Sequence, residues 1–430
     1  MYDKASLALI PSGYKGGSPN GTLYSVLPAN GDGDFDHTRA TSATRVNKDG
    51  LIESVASGVP RLDYPLIDGV VQDCPALLLE PSRTNLVTYS EDFSDASWTT
   101  SNTSVSSNQT TSPDGSVNAD KLTDNATSNV HRIRDAVSLS ASTDYSLSVF
   151  AKKDTLSNIQ LALINTGNSH TISKVFDLEN GTLGEELSGG GTTVSDAKIE
   201  NFGNGWYRCT IVGQLGSTPN QYQISLATKT TGNSHTLNQV TYSGDGTGSV
   251  FLYGAQIEEG SYATSYIPTT SSTVTRNADE CNGAGTSAEF NDSEGVFFAE
   301  IASLGAGSVR RFAIDNNASP INIVRLEYSS TTNRFFGVIY NGTSQIALST
   351  YLTDELEFNK VAFKYKSGDF ALWVNGVEVA TSTSTFTMPS GLKTLGFDDG
   401  SGGNKFYSKS KQVMVFNEAL TDAELATLTS

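Results

Sequence analysis

The sequence predicts an all-β protein: two consecutive antiparallel β-sandwiches of jelly-roll type, preceded by an irregular N-terminal arm. Three observations carry this. Apolar and polar residues alternate at period two in run after run beyond residue 145, as half-buried strands require. Gly and Asn turn residues separate the runs. No 3.6-residue pattern lies between them, which excludes the helical crossovers of a parallel sheet.

Taken in order, residues 1–83 are punctuated by Pro11, Gly16, Gly17, Gly31, Gly33, Pro60, Pro65 and Pro75 and show no sustained periodicity. They read as an assembly or attachment arm that needs a partner surface to order it. Ser94 to Ser116 is polar enough to be loop or edge material. The first sandwich, 84–270, is carried by Tyr145/Leu147/Val149, Ile159/Leu161/Leu163, Tyr207/Cys209/Ile211 and Tyr222/Ile224/Leu226, each triplet sharing a strand face. Val250 to Ile257 is apolar on both faces and reads as a central strand. The pentapeptide at 166–170 recurs at 231–235, two loops of one sandwich.

The Ser/Thr run Thr269 to Thr275 lacks apolar anchors and places a linker at 271–284. The second sandwich, 285–430, has strand candidates at 296–301, 309–314, 321–328, 334–340, 360–366, 370–374, 377–380 and 411–416. Asn375-Gly376 is a hairpin turn signal, since both residues tolerate positive φ. Thr421-x-x-Glu424 is a capping box opening a short helix, a lid over the sandwich edge.

The 430 residues hold 28 Lys and Arg against 46 Asp and Glu, giving a net charge of −18. No basic cluster appears, so nucleic acid and anionic membrane surfaces are excluded as partners. Cys74, Cys209 and Cys281 show no disulfide spacing, and the four histidines are scattered, which argues against a zinc site. Leu7 to Ile10, ended by Pro11, is too short for a signal-peptide core or a membrane span. The expectation is a chain made in a cytoplasm.

Several motifs together resemble tailed-bacteriophage structural proteins: Arg39 to Asn47, Gly50 to Glu53, Pro60 to Tyr64, Leu77 to Leu86, Tyr89 to Phe93 with Trp98, Gly203 to Arg208, Tyr253 to Gly260 and Thr264 to Thr270. The resemblance covers about 39–280 and implies a carbohydrate-binding-module-like jelly roll. Lys360 to Tyr365, Leu372 to Val377 and Val413 to Leu425 are similar to the concanavalin A-like lectin/glucanase or laminin-G-like sandwich. Together these resemblances imply a virion component (tail fibre, spike or head decoration) made in the host cytoplasm. Its implied partners are other virion proteins, two further copies in a homotrimer, and a host-surface glycan for adhesion. A tail-associated polysaccharide depolymerase and a non-binding decoration or spacer are the alternatives.

A glycosidase needs two carboxylates flanking the sugar bond. Asp354-Glu355-x-Glu357, Glu185-Glu186, Glu258-Glu259 and Asp398-Asp399 lack the glucanase Glu-x-Asp-x-x-Glu spacing, and no nucleophile elbow or phosphate loop is present, so the sequence reads as a chain that is not an enzyme. Sugars stack on aromatic rings, which makes Trp98, Tyr262 and Trp373 the candidate carbohydrate-binding residues. Trp206 and Trp373 lie in strand patterns, where core is the competing reading, while Trp98 stands in a polar stretch with less core around it. No cofactor is expected unless Asp398, Asp399 and Asn404, in a Gly-rich acidic loop that otherwise reads as an ordinary flexible turn, are Ca²⁺ ligands. A second acidic stretch, Asn30 to Asp36, fails as an EF-hand because Ala43 stands at the twelfth position and His37 at the sixth.

Overall fold

A computed structural model describes residues 4–11, 33–165, 171–190, 192–227, 234–236, 239–318 and 321–430. Among them the chain is nearly all strand, with one α-helix at Asp422–Thr429.

The first sandwich packs two six-stranded antiparallel sheets. One runs Trp98–Ser101, Arg132–Ala136, Pro219–Ala227, Asn158–Asn165, Thr171–Asp177, Thr182–Gly189. The other runs Thr103–Thr111, Val117–Asp124, Ser249–Glu259, Tyr145–Lys153, Trp206–Gln214, Thr193–Asn201. The apolar triplets seen in the sequence meet between them, with Leu147, Val149, Leu161, Ile211 and Ile224 fully buried. Of the polar stretch 94–116, Trp98–Ser101 and Thr103–Thr111 are the outermost strands of the two sheets, where one side of the ladder needs no apolar cover. The repeated pentapeptides lie outside the described residues, apart from 234–235.

The second sandwich packs an eight-stranded sheet on a five-stranded one. Seven of the eight predicted strands lie within a residue or two of their expected starts, while Ser408–Phe416 begins three residues early; Gln345–Tyr351 and Thr394–Gly396 were not anticipated. Phe297, Phe312, Phe363 and Phe406 fill the space between the sheets. The hairpin turn forms as expected, with φ of 48° at Asn375 and 83° at Gly376. The helix is opened by the Thr421/Glu424 capping box. It covers the outer face of the large sheet rather than its edge, seating Leu425 and Leu428 against Phe298, Trp373 and Met414.

Two boundaries need correction. Residues 1–83 are not a coreless arm: Leu7–Leu9 pairs with Val413–Val415, Ala76–Leu78 with Leu77↔Ser410 and Leu78↔Lys409, and Arg61–Asp63 with Ala76–Leu78, all within the eight-stranded sheet. Leu7, Leu9, Phe35, Leu77 and Leu79 belong to the C-terminal core. Residues 271–284 are not an unstructured linker either, because Val274–Arg276 pairs with Arg83–Asn85 and Glu280–Asn282 with Asp36–Thr38. The second sandwich is therefore assembled from both ends of the chain, with the first inserted between them.

Candidate functional site

The aromatic residues singled out in the sequence are packing residues. Trp98 is 4% exposed, its ring 4.9 Å from Phe93 and 5.9 Å from Tyr222, and its Nε1 donates to the Tyr89 carbonyl at 2.9 Å. Trp373 is 7% exposed beneath the helix. Tyr262, 8% exposed, is flanked by the guanidinium carbons of Arg83 and Arg310, each 5.5 Å from its ring centroid. None offers an open face to a pyranose, because each ring is buried against its neighbours.

The candidate Ca²⁺ loop is a hydrogen-bonded turn. Asp399 Oδ1 accepts from the amides of Ser401 (3.1 Å) and Gly403 (3.0 Å), and Oδ2 accepts from Asn404 Nδ2 at 2.8 Å with Arg311 Nη1 3.8 Å away. Asp398 Oδ1 accepts from the Gly400 amide at 2.7 Å. Carboxylate oxygens already holding N–H donors beside a guanidinium do not fit a Ca²⁺ cage. Of the acidic stretch 30–36, residues 30–32 lie outside the described residues, and Asp34 Oδ1 accepts from the Phe35 amide at 2.7 Å.

Arg39, Arg61 and Glu80 meet Arg276 and Asp279 in a buried ionic hub between the sandwiches. Arg61 Nη1 lies 2.7 Å from Glu80 Oε2, Arg276 Nη1 2.6 Å from the same oxygen, and Arg39 Nη1 2.9 Å from Asp279 Oδ1, while Arg61 also contacts Asp279. Burial on its own would raise the Glu80 carboxyl; Arg276 and Arg61 overcome it and hold the group down at about 2. These residues join chain segments.

A different arrangement appears on the outer face of the first sheet named above. Period two sends Ile133, Ile159, Leu161, Tyr222 and Ile224 into the core, so their neighbours Arg132, Arg134, Gln160, Gln221, Gln223 and Ser225 take the other face. Register sets them in rungs: Arg132 opposite Ser225 opposite Gln160, Arg134 opposite Gln223 opposite Ala162, and Gln221 opposite Ile164 opposite Thr171. Strand spacing places Arg132, Arg134, Gln160 and Gln221 within about 15 Å of one another, with Thr171 about 20 Å from Arg132.

The face is polar, largely shielded and incompletely satisfied. Arg134 Nε donates to Gln223 Oε1 at 2.7 Å, Gln223 Nε2 to Ser225 Oγ at 2.8 Å and Gln160 Nε2 to Ser173 Oγ at 3.1 Å. Among the described residues, Arg132 Nε and Nη1, Arg134 Nη2, Gln160 Oε1, Gln221 Oε1 and Thr171 Oγ1 are buried atoms without a hydrogen-bond partner. Burial pushes the Arg134 guanidinium down to about 10, with Arg132 adding repulsion, and burial lowers Arg132 as well. Neither has an ion-pair partner among the described residues. The signal in the sequence is Arg-Ile-Arg at 132–134 and Gln-Tyr-Gln-Ile-Ser at 221–225, each polar on the face opposite its apolar one.

Comparison with known proteins bears on the second sandwich first. Residues 297–426 match the concanavalin A-like lectin/glucanases superfamily. No curated protein matches the chain. Among solved structures it is similar to the CBM40 of Ruminococcus gnavus IT-sialidase bound to alpha2,3 sialyllactose, at 15% identity over 35% of this chain and 94% of that one, with a TM-score of 0.30. It is also similar to the leech intramolecular trans-sialidase (19% identity, 34% and 26% coverage, TM-score 0.29) and to Trypanosoma rangeli sialidase (11% identity, 72% and 60% coverage, TM-score 0.29). The chain thus spans less than two thirds of either enzyme. These matches correct the expectation of a chain that is not an enzyme, since sialidases stand among the structures it resembles; at such identities and TM-scores none of them assigns it an activity.

Proposed function

We propose that the chain binds glycans, with the outer face of the sheet that carries the half-buried Arg132, Arg134 and Gln221 as the contact surface. The observation that supports this is the row of half-buried guanidinium and amide side chains on one face, with no ion-pair partner for either arginine among the described residues. Sugars present hydroxyls that donate and accept in turn and can take the place of the water that such side chains hold. A concanavalin A-like lectin sandwich in the same chain is consistent with the reading.

The motif resemblance over 39–280 supports placing this surface on a tailed-phage virion, as a fibre, spike or decoration component that meets host glycans. Assembly there as a homotrimer would multiply weak single contacts through effective concentration. A glycan array probed with the full chain and with its Arg132→Ala/Gln221→Ala variant tests the binding surface: signal from the former that the latter loses supports it, and equal signal moves the site elsewhere. Copy number and position in intact particles, by labelled antibody, tests the virion assignment.

A further inference from the structure

We propose that the cleft between the two sandwiches binds a small amphipathic monocarboxylate, whose charge is met by Arg208 and Lys198 and whose apolar body lies against Leu66, Phe202, Leu356 and Phe358. All six side chains line a cavity of about 340 Å³. It opens on the other sheet of the first sandwich from the one that carries Arg132, so it is separate from the glycan-contact face. The strand Trp206–Gln214 sends Cys209 and Ile211 into the core, which leaves Arg208 and Thr210 on the outer face, looking onto the cleft. Lys198 stands opposite Thr210 on the neighbouring strand and is therefore a diagonal neighbour of Arg208, with Cα atoms about 7–8 Å apart.

Arg208 is 7% exposed. Its Nη2 donates to Ser148 Oγ at 3.1 Å, and its guanidinium carbon lies 5.5 Å from the Phe150 ring centroid. Nε is closed off without a partner, whereas Nη1 has no partner among the described residues and stays open to the cavity. Glu200 is opposite Arg208 in register, yet the two form no ion pair. Lys198, its side chain 38% exposed, has Asp196 at 3.9 Å. A buried guanidinium without a counter-charge is costly, and water fills a cavity without neutralising it. An inorganic anion would supply the charge but leave the half-buried Leu66, Phe202, Leu356 and Phe358 wet. One carboxylate on an apolar body answers both needs. Asp196 and Glu200 lie on the same strand face as Lys198, so a second negative charge on the ligand is repelled.

The test is calorimetric titration of the full chain with phenylpropionate and hexanoate, with phenylpropionamide, and with the dianion phthalate. The expected result is single-site binding of both monocarboxylates, with the amide and phthalate weaker by roughly tenfold or more, and with Arg208→Met reducing the acid to the level of the amide. Lys198→Met, at a half-exposed position, should weaken the acids several-fold and locates the site even where the Arg208 variant fails to fold. Equal affinity for acid and amide overturns the carboxylate assignment, and phthalate binding as tightly as the monocarboxylates overturns the single charge. Absence of binding by either acid, or acid binding that folded Arg208→Met or Lys198→Met leaves unchanged, overturns the site. The comparison of acid and amide uses the unaltered chain, and none of these outcomes bears on the glycan array.

Discussion

Arg61 Nη1 stands 2.7 Å from Glu80 Oε2 with both side chains buried, and this contact ties the N-terminal segment into the seam between the two sandwiches. Asp279 and Arg276 complete the cluster from the far side of the inserted sandwich. A buried pair adds little over a well-packed apolar pair, but breaking it strands a charge.

Arg61→Met should therefore cost about 3–5 kcal/mol in urea unfolding. Arg45→Ala, which removes a half-exposed partner of Glu53, should cost less than about 1 kcal/mol. Equal costs would show that the hub is not stabilised by its internal pairing.

Removing residues 1–10 should destabilise the second sandwich, since Leu7, Leu9 and Ile10 are buried within it. At about 1.5–3 kcal/mol for each large apolar side chain, the loss is roughly 5 kcal/mol or more. For the same reason a fragment of residues 285–430 should show no cooperative melt. A sharp thermal transition from that fragment would mean that the strands near Leu7 and Leu77 are dispensable.

Trp98→Ala should cost about 3–5 kcal/mol of stability, as expected for emptying a site packed by Phe93 and Tyr222. Glycan affinity measured below the melting range should be unchanged. A selective loss of binding at full stability would return Trp98 to the ligand site.

Burial raises the Asp135 carboxyl to about 6, with Asp95 adding repulsion against the Ala136 amide. The folded value lies above the unfolded one, so the stabilising contribution is fully present below the unfolded pKa of about 4 and is lost as pH rises through about 6. Asp135→Asn should raise the melting temperature near neutral pH and above, and the gain should vanish at about pH 4. A gain that is constant across this window would assign the effect to packing instead of ionisation.

Local patterns were legible because their physics is local. Alternation at Ile159, Leu161 and Leu163 declares a strand and its core face without reference to any other residue, and Asn375-Gly376 declares a turn because positive φ is cheap there. The face opposite Ile133 was equally readable as polar, yet nothing local marks which of many polar faces is shielded. That depends on what the fold lays across it.

The sequence by itself determined an all-β chain, the strands around Leu147, Leu161, Ile211 and Ile224, eight strands of the second sandwich, the turn at Asn375 and the cap at Thr421, because alternation, turn chemistry and capping act over a few residues. Only the tertiary structure decided that Leu7–Leu9 completes a sheet at Val413–Val415, that Trp98 is core, and that Arg132 and Arg134 share a shielded face. Pairing between distant strands depends on the total apolar surface that the assembled sheets bury. A three-residue strand such as Leu7–Leu9 carries too little pattern to announce a partner at the other end of the chain.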